Sequence, residues 1–146
     1  MSLESSTPCR MRMWIRRRNE PLSTRRLLVI DDESDIREVA TLTLELTEGW
    51  TVLTAGGGKA GAALAALATP DAILLDVMMP DMDGPDTFRA IAGQDASKRI
   101  PVIFLTAKAQ ATNHQALMDM GVRGVIVKPF DPLTLGKRIR EILHWE

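Results

Sequence analysis

Five side chains in this sequence have types and positions suited to phosphoryl chemistry: Asp31, Asp32, Asp76, Thr106 and Lys128. Each stands at the end of a short apolar run, where a buried strand would release it to the surface. Three carboxylates held together repel one another, and burial adds a desolvation cost. A hard divalent cation such as Mg²⁺, which takes oxygen ligands and keeps several waters, offsets that cost. Lys128 adds a fixed ammonium and Thr106 a hydroxyl donor. Metal, ammonium and hydroxyl around one carboxylate form an electrostatic cradle for a phosphoryl group in transfer. In that cradle Asp76 is the nucleophile and the product an aspartyl phosphate.

The elements that must position these residues alternate in period. Leu27–Ile30 is fully apolar and stops at Asp31-Asp32, the pattern of a buried parallel strand. Ser34 is placed to cap a helix with Ile36, Val39, Leu42 and Leu46 at helical spacing, ended by Gly49. Trp50–Thr54 is a second strand, and Lys59–Thr69 a helix with Ala63, Leu64 and Leu67 on one face. Ala72–Leu75 closes on Asp76. A loop with Pro80 and Gly84 follows, then a helix opening at Pro85 and reaching about Gly93. Ile100–Leu105 ends at Thr106, Ala109–Met120 is helical, and Gly124–Val127 ends at Lys128-Pro129. Asp131 is placed to cap a last helix that turns Leu135, Ile139, Ile142 and Leu143 inward. Five strands alternating with five helices predict an α/β fold with a parallel sheet. Right-handed crossovers put helices on both faces, and the site lies beyond the carboxyl ends of the strands.

The chain has 146 residues, 45% of them hydrophobic and 25% charged, which suits one globular domain rather than a disordered or fibrous chain. A single cysteine, Cys9, cannot close an internal disulfide, and a reducing cytoplasm is the simplest setting. The longest run without a polar side chain, Ala60–Ala68, is far short of the ~20 residues a membrane span needs. The net charge of −1 hides an uneven distribution. Residues 1–26 hold seven arginines and two acids, whereas residues 27–146 hold eleven basic and seventeen acidic residues. The first segment reads as a flexible Arg-rich arm or an added leader, without the apolar core of a secretory signal. Such an arm can touch nucleic acid or an anionic surface, although a solvated tail is the plainer reading.

Four stretches, in order, resemble the receiver domain of two-component response regulators. They are Leu27-Leu28-Val29-Ile30-Asp31-Asp32-Glu33, Leu74-Leu75-Asp76-Val77-Met78-Met79-Pro80-Asp81-Met82-Asp83-Gly84, Leu105-Thr106-Ala107 and Val127-Lys128-Pro129-Phe130. The resemblance covers residues 27–146. It implies a flavodoxin-like doubly wound sheet in strand order 2-1-3-4-5. It casts Asp76 as phosphoacceptor, Asp31 and Asp32 as the acidic pair that organises Mg²⁺, and the Met78 main-chain carbonyl as a further metal ligand. Thr106 becomes the hydroxyl that moves to meet the phosphoryl group. Lys128 becomes the lysine that pairs first with the acceptor and then with phosphate, and Lys128–Pro129 a cis peptide. The implied donor is a phosphohistidine on a sensor histidine kinase or a histidine phosphotransfer protein, with acetyl phosphate as a small substitute. The implied output is protein–protein contact through helix four, strand five and helix five, here 108–137. Self-association through that face is left open, and no DNA-binding domain is read in this chain.

One position departs from the family pattern. Receivers usually carry an aromatic residue three before the lysine, and here it is Val125; the chain has no tyrosine. The usual coupling of an aromatic to the threonine is therefore missing, while the phosphorylation set stays complete. The alternative class is a phosphohydrolase that forms an aspartyl phosphate. Such enzymes want a general acid two residues past the nucleophile, and Met78 cannot move a proton. Gly56-Gly57-Gly58-Lys59 fails the spacing of a phosphate loop, because Leu53 and Ala60 stand where glycine and Ser/Thr are needed. Asp81 and Asp83 read as turn residues, His114 and His144 as surface histidines, and Trp145 as a packing residue.

Overall fold

The structure is a computed structural model that describes residues 24–107 and 114–146. The expected arm lies almost wholly outside the described residues, as do Lys108 and the first part of the helix expected from Ala109. Five strands, β1 (Arg26–Ile30), β2 (Thr51–Ala55), β3 (Ala72–Asp76), β4 (Val102–Ala107) and β5 (Gly124–Lys128), form one parallel sheet in order β2-β1-β3-β4-β5. The helices are α1 (Ser34–Glu48), α2 (Gly58–Ala68), α3 (Gly84–Ala92), α4 (His114–Met118) and α5 (Leu135–Leu143). Element order and strand order agree with the sequence reading.

Successive strand residues point to opposite faces, so each strand feeds two cores. Leu28, Ile30, Ile73, Leu75 and Phe104 face α2, α3 and α4. Leu27, Val29, Leu74, Ile103, Leu105 and Ile126 face α1 and α5. Both faces are covered, which is why these strands read as continuous apolar runs. Strands β1 and β3 lie side by side in the sheet's centre, with Ile30 opposite Leu75. Asp31 and Asp76 are the residues that follow this pair, and they emerge together.

The helix faces differ from the sequence reading. On α1 the buried residues are Ala40 and Leu44, whereas Val39, Leu42 and Leu46 are exposed. Two apolar stripes overlap on this helix, and the sheet takes the one whose small Ala40 permits close approach. Ser34 is the first helical residue rather than the cap; Glu33 holds the cap position and no side chain caps it. On α2 the inner face is Gly61, Ala62, Ala65 and Ala68, leaving Ala63 and Leu67 outside. A Cβ at Gly61 would stand 2.5–2.8 Å from three carbons of Ile30, so this helix sits too close to β1 for leucines between them. Trp50 precedes β2 and packs edge-on against Trp145 at 5.5 Å. Strand β4 starts at Val102, because Ile100 and Pro101 belong to the approach. Asp131 accepts from the Leu133 amide in the turn before α5, and Thr134 holds that helix's cap position. Gly49 does end α1, in the left-handed region at φ 72°. The Lys128–Pro129 bond is cis.

The close approach at Gly61 makes a paired test. Gly61→Ala forces Ile30 to shift and lowers unfolding free energy by about 1–3 kcal/mol. Gly57→Ala, whose Cβ would meet nothing within 4 Å, changes it by less than about 0.5 kcal/mol. Urea unfolding of both variants checks the difference.

Candidate functional site

The site is the shallow floor where β1, β3 and β5 end. Asp31 is wholly buried and Asp76 nearly so, while Asp32 is exposed at the rim. One carboxylate oxygen from each of the three lies within 4.8 Å of the others. The Lys128 ammonium stands 2.8 Å from Asp31 Oδ2 and 3.2 Å from Asp76 Oδ1. Sequence reasoning brings these four residues together, and the structure does the same.

Backbone donors fix the carboxylates further. The Glu33 amide donates to Asp31 Oδ1 at 2.9 Å, and the Met78 amide to Asp76 Oδ1 at 3.3 Å. The Met78 peptide therefore borders the carboxylates, while its side chain is largely exposed. Thr106 is buried one residue past Leu105, the register partner of Asp76. Its hydroxyl donates to the Ala107 carbonyl at 3.4 Å and makes no hydrogen bond to a carboxylate of the cluster. Val125 is buried in the core on the side of α4, where it adds no aromatic ring.

The loop after β3 is shaped by Gly84. The Gly84 amide donates to the Val77 carbonyl at 2.8 Å, and a Cβ at this position would lie 2.5 Å from the Asp76 carbonyl oxygen. Only glycine lets α3 start so close behind the end of β3. Asp83 caps α3 by accepting from the Asp86 amide at 2.9 Å, and Asp81 sits at φ 68°. Both are turn residues, as their spacing suggested. His114 and His144 are exposed, and Trp145 packs on Trp50. Gly56 to Gly58 form the turn into α2, with Gly58 packed against Thr87 of α3.

Arg37 is the contributor that sequence reasoning misses. Its guanidinium donates to the Asp31 carbonyl at 2.7 Å and rests against Gly56. It thereby ties α1 and the turn after β2 to the strand end that carries two acids. The available signal is an arginine six residues past Asp31, early enough in α1 to reach back.

The electrostatics are strained in a useful way. Burial, and then the Asp31 charge beside it, push the Asp76 carboxyl from 3.8 up to about 7. The Lys128 ammonium opposes this shift without cancelling it. For Lys128 itself, burial disfavours the charge, but the contacts to Asp31 and Asp76 prevail and hold the ammonium above its usual range. Asp31 Oδ2, fully buried, has its ion pair with Lys128 but no well-aligned hydrogen-bond donor. An under-satisfied buried oxygen within an all-oxygen donor set fits a hard divalent cation.

A family model, the response regulator receiver domain, matches residues 27–140. The chain belongs to that family. It is 35% identical over 118 residues to the probable transcriptional regulatory protein TcrX of Mycobacterium tuberculosis, covering 81% of this chain and 49% of that protein. It is 34% identical to the phosphate regulon transcriptional regulatory protein PhoB of Pseudomonas aeruginosa, covering 81% of this chain and 51% of PhoB. The chain thus spans about half the length of these curated relatives. Among solved structures, the chemotaxis response regulator CheY4 of Vibrio cholerae superposes with a TM-score of 0.74 at 33% identity, over 82% of this chain and 98% of CheY4. Residues 27–140 are thus a receiver domain of the signalling type. Among the described residues no helix is long and apolar enough to cross a membrane.

The raised Asp76 carboxyl has a definite consequence for stability. Between about pH 4 and pH 7 the folded carboxyl keeps a proton that the unfolded one has lost, so this group costs stability as pH rises. Asp76→Asn removes that cost. In metal-free buffer at pH 8 the variant is more stable than wild type by about 1–2 kcal/mol, after discounting for solvent screening, and at pH 4 the gain disappears. Urea unfolding at the two pH values measures it.

Proposed function

We propose that Asp76 accepts a phosphoryl group in a Mg²⁺-dependent reaction and that the phosphorylated chain changes its protein contacts. The observation that carries this reading is the Lys128 ammonium set between the Asp31 and Asp76 carboxylates, with Asp32 at their rim. Asp76 Oδ1 is held by Lys128 and the Met78 amide, which leaves Oδ2 to attack phosphorus. The P–N bond to the donor's imidazole breaks as the new O–P bond forms, and the histidine leaves with a proton from solvent. Lys128 then follows the negative charge from the carboxylate onto the phosphoryl oxygens. Thr106, whose hydroxyl has only a long contact at 3.4 Å, turns to donate to the same group. Asp31, Asp32, Asp76 and the Met78 carbonyl would hold the metal, which supplies charge neutralisation during transfer.

The donor would be a sensor histidine kinase or a histidine phosphotransfer protein, in a cytoplasmic setting. Residues 27–146 act as the receiver unit, and the chain catalyses only its own phosphorylation and dephosphorylation. Output runs through α4, β5 and α5. With Val125 in place of a ring, the signal passes through Thr106 and main-chain shifts. The phosphohydrolase reading is disfavoured by Met78, whose exposed thioether offers no proton two residues past the nucleophile.

Intact mass after incubation with acetyl phosphate tests the reading. One phosphoryl adduct per chain is expected with Mg²⁺, none with a chelator and none in Asp76→Asn. Release of many phosphates per chain would instead identify a hydrolase.

A further inference from the structure

We infer that the Arg-rich segment 10–18 of this same chain docks along the exposed face of α1 and covers its outer apolar stripe. The stripe consists of Val39, Leu42 and Leu46, exposed by 38%, 62% and 84%. They fall at i, i+3 and i+7, one continuous strip of a helix. Leu46 is the most exposed large apolar side chain among the described residues, and no described element packs on it or on Leu42.

The surroundings of the stripe specify the chemistry of its cover. Asp35, Glu38 and Glu45 are exposed on the same side of α1. None of the three has an ion pair among the described residues. The helix's only arginine, Arg37, is turned to the Asp31 carbonyl. No basic residue of α1 stands in its last turn; the cation found there, Arg140 of α5, is engaged with Glu48 at 2.7 Å and leaves Glu45 without a partner among the described residues. A cover for this face must therefore bring apolar groups in the middle and cations around them. Residues 10–18 read Arg-Met-Arg-Met-Trp-Ile-Arg-Arg-Arg, with four large apolar side chains between five arginines.

The exit point of the chain makes the contact intramolecular. The Thr51 amide donates to the Arg25 carbonyl at 2.9 Å, and the Arg25 guanidinium lies 4.1 Å over the Trp145 ring. Trp145 in turn packs on Trp50, the residue after the glycine that ends α1. The chain upstream of Arg25 therefore leaves beside the C-terminal end of α1. From Arg25 back to Trp14 is eleven residues, a reach of about 18 Å as a relaxed coil. From Leu46 to Val39 along the helix is only about 10 Å. The tether makes the local concentration of the segment high, so weak contacts suffice.

Cys9, the only cysteine, adjoins the segment and provides the probe. A nitroxide attached to Cys9 of the full chain is expected to bleach amide signals of α1 around Val39 to Leu46 in a two-dimensional NMR spectrum. The bleaching should fade in about 1 M salt, where the Debye length falls to about 3 Å. It should also fade in the double variant Leu42→Ser, Leu46→Ser, which removes the apolar contact without adding charge and whose exposed positions leave folding intact. Bleaching spread evenly over the surface, or centred on another face, would overturn the inference. So would bleaching that persists in isotope-labelled, unlabelled-spin chains mixed with spin-labelled, isotope-free ones, because the contact would then lie between molecules. None of these outcomes depends on Asp76 chemistry.

Discussion

One ammonium between two buried carboxylates organises the end of this molecule. Lys128 reaches 2.8 Å from Asp31 and 3.2 Å from Asp76, and without it two like charges would share a dry floor. Taking the lysine away would leave two buried carboxylates without a counter-charge, which is costly. The contact also joins three strands that are distant in sequence: β1 supplies Asp31, β3 supplies Asp76 and β5 supplies Lys128. The parallel sheet is what brings these ends to one edge, and the site in turn requires every strand to keep its register.

The compensation is incomplete, and that is functionally apt. Asp76 remains raised toward neutrality by burial and by Asp31 despite the lysine. A carboxylate in that state gains when further positive charge arrives and when its own charge is spread over a phosphoryl group. Backbone contacts keep the geometry ready. Gly84 lets α3 start directly behind Asp76, and Arg37 holds the Asp31 backbone from the other side. Thr106 is by contrast loosely held, with a single long hydrogen bond to Ala107. A group with little to lose in the resting state can move at small cost.

The site was legible in the sequence because each member ends an apolar run. Leu27–Ile30 stops at Asp31, and Ala72–Leu75 stops at Asp76, so strand end and candidate site are marked by the same change of polarity. The strand order followed from the family resemblance, and the alternation of elements alone gave only the class. Helix facing was harder. On α1 the stripe through Val39, Leu42 and Leu46 is more apolar than the one through Ala40 and Leu44, yet the second is buried. On α2 the inner face is made of glycine and alanine, because Ile30 leaves no room for more. Hydrophobicity shows that a helix is amphipathic, but close packing chooses which side goes in. Arg37 was hidden for another reason: it acts through a backbone carbonyl, and a main-chain partner leaves no mark in the residue types.

The central claim is that Asp31, Asp76 and Lys128 form one coupled charge cluster, poised for a cation and then a phosphoryl group. The most direct measurement is a ¹³C titration of the Asp76 side-chain carboxyl, metal-free and again with Mg²⁺. The account predicts a metal-free midpoint near neutrality, as burial and Asp31 dictate, and a downward displacement once Mg²⁺ is present. A metal-free midpoint at the ordinary aspartate value, unmoved by Mg²⁺, would contradict it.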